Sequence, residues 1–89
     1  MEETKKLKDE QKSVIRNFIV KASGLSDFDN EENIFESGLV NSLFSIQLVT
    51  FLESTFVIKI TMDDLDFKNF ESVDKISEFI VRKKKLENA

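Results

Sequence analysis

Apolar residues recur through the first quarter of the chain at Leu7, Val14, Ile15, Phe18, Ile19 and Ala22. This i, i+3/i+4, i+7 spacing lays one stripe along a helix, so a first helix is predicted over about residues 6–22 with that stripe turned inward. Its opening turn, with Glu2 and Glu3 ahead of Lys5, Lys6 and Lys8, reads as a solvated and frayed start. Periodicity then stops until Asn41. Gly24, Ser26, Asp27, Asp29, Asn30, Glu31 and Asn33 give a long polar connection, a length that in a small domain usually signals function or an element that periodicity does not reveal. Leu25, Phe28, Ile34 and Phe35 are spaced along it and are expected to pin it to the core.

The second periodic stretch predicts a helix over about residues 42–56. At about 100° per residue, Ser45, Leu48, Val49, Leu52 and Phe56 share an inward face, and Leu43, Ile46, Thr50 and Glu53 project from the opposite one. Phe44 and Phe51 fall on one flank, placed to pack against a later helix. Val57 to Thr61 alternates too briefly to make a paired strand and reads as an extended linker. Thr61, Met62, Asp63 and Asp64 form a capping-box variant that opens a short third helix near residues 62–67, with Leu65 and Phe67 as its anchors. Ser72 is the expected cap of a fourth helix whose buried side carries Val73, Ile76, Phe79 and Ile80. Arg82, Lys83, Lys84 and Lys85 suit the negative end of that helix as a solvated basic terminus, and residues 86–89 are expected to be disordered.

Composition agrees with an all-α fold, since the 89 residues include no proline and two glycines. A single domain over residues 1–89 is expected, with a core over about residues 6–82 and disordered termini. Cysteine and histidine are both absent, which removes disulfides, thiolate nucleophiles and the commonest general base and metal ligand. That weighs against an enzyme. With 17 acidic and 13 basic residues the formal charge is −4, which favours partners with a basic docking surface over nucleic acid. No apolar run approaches a membrane span and no apolar segment follows the charged start, so a cytoplasmic protein that binds no membrane is expected. The acidic run from Asp27 to Glu31 invites a calcium reading. A calcium loop counted from Asp27 needs Gly where Glu32 stands and Glu where Gly38 stands, so a solvated acidic loop is the expectation.

One hydroxyl stands apart: Ser42, behind the turn marked by Gly38 and ahead of the most apolar helix. From spacing alone it is a cap or first-turn residue. Position alone likewise leaves open whether Leu43 and Ile46, beside it on a face with no core to enter, are scattered surface residues or a docking patch. No catalytic set accompanies Ser42, because no histidine is available to deprotonate it and no acidic pair is singled out by spacing.

The run from Gly38 to Leu43, the helix ending Phe51, Leu52, Glu53 and Phe56, and the four-helix layout resemble the acyl carrier protein family, over roughly Val14 to Val81. The resemblance implies a small four-helix bundle of acyl-carrier type, with three longer helices, a short third one and a long loop between the first two. It implies that Ser42 carries 4′-phosphopantetheine, attached from coenzyme A by a phosphopantetheinyl transferase, and that acyl groups ride on the arm as thioesters. Asn41, Leu43, Ile46, Gln47, Thr50 and Glu53 would then be the docking residues. The chain departs from most members of the family in having Asn41 where they have aspartate. Val40 to Phe44, followed by Asp64 to Phe67 and by Asn69 and Phe70, is similar to a narrower group of free-standing carriers of hydroxy-, methoxy- or aminomalonyl units. That likeness implies acyl-loading and tailoring enzymes and a polyketide synthase acyltransferase or ketosynthase as partners, antibiotic biosynthesis as the setting, and a monomer. Aminoacyl or fatty-acyl cargo, or an unmodified adaptor with the carrier fold, are the alternatives.

Overall fold

The computed structural model describes residues 2–38 and 40–88, with side chains over residues 9–38 and 40–85. Four α-helices follow one another: α1 (Glu2–Ser23), α2 (Ser42–Phe56), α3 (Phe67–Phe70) and α4 (Val73–Asn88). Single 3-10 turns stand at Ile34–Ser37 and Met62–Asp64, and the described residues contain no strand. The all-α bundle with a short third helix is therefore as expected, and α2 has the expected bounds. α1 already includes the opening turn that the sequence reads as frayed, starting at Glu2 and not near residue 6, and α4 continues through residue 88 where disorder was expected. Ala89, and the side chains of Leu7 and residues 86–88, lie outside the described residues.

The core is built from Ile15 and Ile19 of α1, Phe44, Leu48 and Leu52 of α2, and Val73, Ile76, Phe79 and Ile80 of α4. Val14 and Ala22, expected inward, are exposed, because the buried face of α1 is a narrow band between α2 and α4. Phe44 and Phe51, expected to face a later helix, both meet a ring of the earlier helix α1. The Phe51 ring stacks on Phe18 with centroids 4.3 Å apart, and Phe44 approaches the same ring at 5.9 Å. These large rings rotate the buried face of α2 toward α1, so Ser45, Val49 and Phe56 are only half-buried.

The long connection is pinned. Phe28 and Ile34 are buried, and the Arg16 guanidinium lies 4.2 Å from the Phe28 ring centroid. Arg16 also donates to Asn30 Oδ1 at 3.0 Å and to the Phe28 carbonyl. The Asp74 N–H donates to the Asn30 carbonyl and the Ile34 N–H to the Glu71 carbonyl, which fastens the loop to the start of α4. No cluster of potential metal ligands occurs among the described residues, and none of the described helices is long and apolar enough to cross a membrane.

The short third helix lies further along than expected. Asp64 closes a 3-10 turn by accepting the Thr61 N–H at 2.9 Å, and the α-helical turn follows only at Phe67. Leu65 and Phe67 are not its anchors, being 53% and 71% exposed. Phe70 is the anchor, buried with its ring 5.1 Å from that of Phe79. Ser72 caps α4 as expected, its hydroxyl accepting the Lys75 N–H at 3.1 Å.

α2 ends on Val57, whose φ of 54° and ψ of 55° place a β-branched side chain in the left-handed region. That conformation costs roughly 1–2 kcal/mol for an L-residue with a Cβ, and less for asparagine. Since Val57 is 76% exposed, little burial is lost on replacement. Val57→Asn is expected to stabilise the domain by about 1 kcal/mol, raising the melting temperature by several degrees; an unchanged or lower value in a circular dichroism melt contradicts this.

Candidate functional site

Ser42 is the first residue of α2 and is exposed. Asn41 is the N-cap, with an extended backbone and a side-chain oxygen that accepts the Phe44 N–H at 3.0 Å. Its carbonyl accepts both the Ser45 N–H at 3.0 Å and the Ser45 hydroxyl at 3.2 Å. The first-turn amides of Ser42 and Leu43 precede any intrahelical acceptor. No acidic residue stands in this turn, so the positive helix end beside the Ser42 hydroxyl is not neutralised from within its own helix. Gly38 positions this start, taking φ of 79° to end the preceding 3-10 turn.

Ser42 opens onto a cleft of about 610 Å³. One wall is α2, through Ser45, Ile46 and Val49; the other is Leu65, Asp66 and Phe67; Phe35, Val40 and Phe70 also line it. The lining is largely apolar, and the Phe67 ring meets Phe35 edge-on at 5.0 Å. A phosphate ester at Ser42 would meet the helix end, and an apolar group attached beyond it would find the cleft.

The outer face of α2 is as expected in its apolar members, Leu43 being 61% and Ile46 65% exposed. Gln47 and Thr50 are exposed beside them. The Thr50 hydroxyl donates to the Ile46 carbonyl and that of Ser54 to the Thr50 carbonyl, both at 3.1 Å, so neither presents a free donor. Glu53 does not simply project outward. It is half-buried and its Oε2 accepts the Ile60 N–H at 2.9 Å, fastening the linker that follows α2.

Sequence reasoning missed the polar ties behind the cleft. The Asp64 carboxylate accepts from Lys83 Nζ at 2.8 Å as well as from the Thr61 hydroxyl at 3.0 Å. Asn69 Nδ2 donates to the Asp64 carbonyl, and Asn69 Oδ1 accepts from Arg82, both at 2.9 Å. Partial burial pushes the Asp64 carboxyl up, but the hydrogen bonds from Lys83 and Thr61, together with the Lys83 charge, outweigh it and hold the group below its ordinary value. The tie is therefore fully present above the ordinary carboxylate range and is lost only as pH falls through the lowered value. Two members of the basic run are thus engaged in the fold, and no sequence spacing pairs them with Asp64 and Asn69.

Residues 13–80 match the family described as the phosphopantetheine attachment site. The D-alanyl carrier protein of Streptococcus uberis (strain ATCC BAA-854 / 0140J) is 32% identical over 59 residues, which cover 66% of this chain and 71% of that protein. The D-alanyl carrier protein of Streptococcus pyogenes serotype M5 (strain Manfredo) is 35% identical over 46 residues, covering 52% of this chain and 58% of that one.

Proposed function

The chain belongs to the phosphopantetheine attachment-site family and is a carrier protein, not an enzyme; from that premise we propose that Ser42 is its attachment residue and that it delivers acyl groups between biosynthetic enzymes. The observation that carries this reading is the exposed Ser42 hydroxyl at the start of α2, at the mouth of an apolar cleft.

The 4′-phosphopantetheine group, covalently held, supplies a terminal thiol on which acyl groups are carried as thioesters. In attachment, the Ser42 oxygen attacks the β-phosphate of coenzyme A. The new bond is Oγ–P, the broken one joins that phosphorus to the leaving adenosine 3′,5′-bisphosphate, and the hydroxyl proton passes to a base of the transferase. Ser42 is the nucleophile, Asn41 caps the Phe44 amide beneath it, and the remaining first-turn amides, those of Ser42 and Leu43, would meet the phosphodiester charge. Leu43, Ile46, Gln47 and Thr50, with Asn41 at one end and Glu53 at the margin, form the docking face for the transferase and for acyl-loading and tailoring enzymes.

For the cargo, the motif from Val40 to Phe44 supports a hydroxy-, methoxy- or aminomalonyl-type unit destined for a polyketide synthase acyltransferase or ketosynthase in the cytoplasm. The likeness to D-alanyl carriers favours a second reading, an aminoacyl cargo. Intact-mass analysis of protein isolated from its natural host tests both. A phosphopantetheine increment is expected, and the residual mass on the arm separates a malonyl-type from an alanyl group. Protein without the increment would instead be an unmodified adaptor.

Asn41 bears on transferase choice. A charge-assisted contact to a basic docking residue is worth about 1.5–3 kcal/mol when well formed and less when exposed, and the neutral amide forgoes it. Asn41→Asp is expected to speed modification by a housekeeping transferase while keeping the cap. Equal or slower loading in a time course with coenzyme A removes the argument.

A further inference from the structure

The wall of the cleft opposite α2 is unusual in how it is held. Met62, Leu65 and Phe67 are 85%, 53% and 71% exposed, so the segment that bears them has almost no burial of its own until Phe70 enters the core. An exposed apolar segment of this kind keeps one position only if something other than the hydrophobic effect fixes it. Here polar ties do so, and they converge from α4. Lys83, its side chain only 15% exposed, reaches the Asp64 carboxylate at 2.8 Å. Asn69 bridges the Asp64 carbonyl to Arg82, and Asp64 closes its own turn through Thr61. Phe67 of the wall also meets Phe35 edge-on.

We propose that Asp64 and Lys83 are positioning residues for the attachment site: by pinning residues 62–67 to α4 they hold Leu65 and Phe67 as the wall of the cleft beside Ser42, and so set how well the cleft shelters an apolar group carried there. The part concerning shelter rests on Ser42 being the attachment residue. The part concerning the wall does not. A charge-assisted bond whose lysine is largely withdrawn from solvent is stronger than an open surface pair, and its loss frees the wall without touching the core residues of α1, α2 and α4.

Lys83→Met keeps the length and helix propensity of the side chain but removes the donor, and Lys83→Arg restores a cation. Both variants and the wild type are loaded with phosphopantetheine from coenzyme A and then with an octanoyl group as an apolar probe, and loading is verified by intact mass. Amide exchange in the Lys83→Met protein is expected to rise about ten-fold across residues 61–69 while the core amides of α1 and α4 stay protected. Hydrolysis of the octanoyl thioester is expected to quicken about three-fold relative to wild type, with Lys83→Arg close to wild type in both readouts. Unchanged exchange at residues 61–69, or a rise spread evenly over the whole domain, overturns the proposal. Faster exchange without faster hydrolysis overturns the shelter role. Absence of the phosphopantetheine mass counts against the Ser42 reading instead, and exchange on the unloaded protein still decides the tie.

Discussion

Ser42→Ala is expected to gain no mass when incubated with coenzyme A and a broad-specificity phosphopantetheinyl transferase, under conditions in which the wild-type chain is fully converted. The effect is all-or-none because the substitution removes the attacking oxygen and leaves nothing in its place. Ser45, the next hydroxyl along α2, is half-buried and donates to the Asn41 carbonyl, so it offers no equivalent nucleophile. The fold should not change, since Ser42 is exposed and the cap is made by Asn41. Alanine is a good first-turn residue, and a surface change of this kind usually falls within about 0.5 kcal/mol. An alanine variant that folds as the wild type does and still gains the phosphopantetheine mass shows that the attachment residue lies elsewhere.

The second large effect separates the two faces of α2. Leu48 and Leu52 are 1% and 0% exposed, so an aspartate at either position buries a charge with no partner. The cost is several kcal/mol, comparable with the roughly 5–15 kcal/mol that hold a small domain together. Leu48→Asp and Leu52→Asp should therefore be largely unfolded at room temperature. Leu43→Asp and Ile46→Asp should melt near the wild-type temperature, because both side chains already stand in solvent and an acidic group near a helix start is mildly favourable. Their expected loss is in transfer. Exposed charges contribute little docking energy at ordinary salt, and this face has few, Glu53 being turned to Ile60. Burial of Leu43 or Ile46 against a partner is worth on the order of 1–3 kcal/mol each, so each aspartate should slow loading or delivery about 5- to 150-fold. Circular dichroism melts beside a loading assay check all four. Early melting of the Leu43 and Ile46 variants would mean that the faces of α2 are assigned wrongly.

Much of this was legible in the sequence where periodicity was strong. α2 has the bounds that its spacing predicts, and the four apolar residues read as the buried side of α4 are all buried. Legibility failed where a tertiary neighbour decided the outcome. Phe44 and Phe51 sit on a flank by angle alone, yet the Phe18 ring draws them inward. Leu65 and Phe67 read as anchors because apolar residues in a short segment usually are, but both stand largely in solvent, and Phe70 takes that place. The bonds from Lys83 to Asp64 and from Arg82 to Asn69 join residues with no periodic relation, so a basic run that looked solvated proved to be partly structural. Ser42 is proposed as the attachment residue by resemblance, since its spacing is that of an ordinary first-turn residue.

The pinned loop between α1 and α2 implies an order of events in folding. Its backbone has almost no regular structure of its own, and fixing each residue costs roughly 1–2 kcal/mol of entropy. Little local gain offsets that cost until Arg16 of α1 can reach Asn30 and Phe28, and until the start of α4 can accept the loop through Asn30 and Ile34. The segment should thus settle late, after the first and last helices have met. Val40 and Asn41 lie at its end, so the start of α2 is fixed only when that closure is complete. A transferase that needs Ser42 at an ordered helix start would meet it only on a chain that has finished folding.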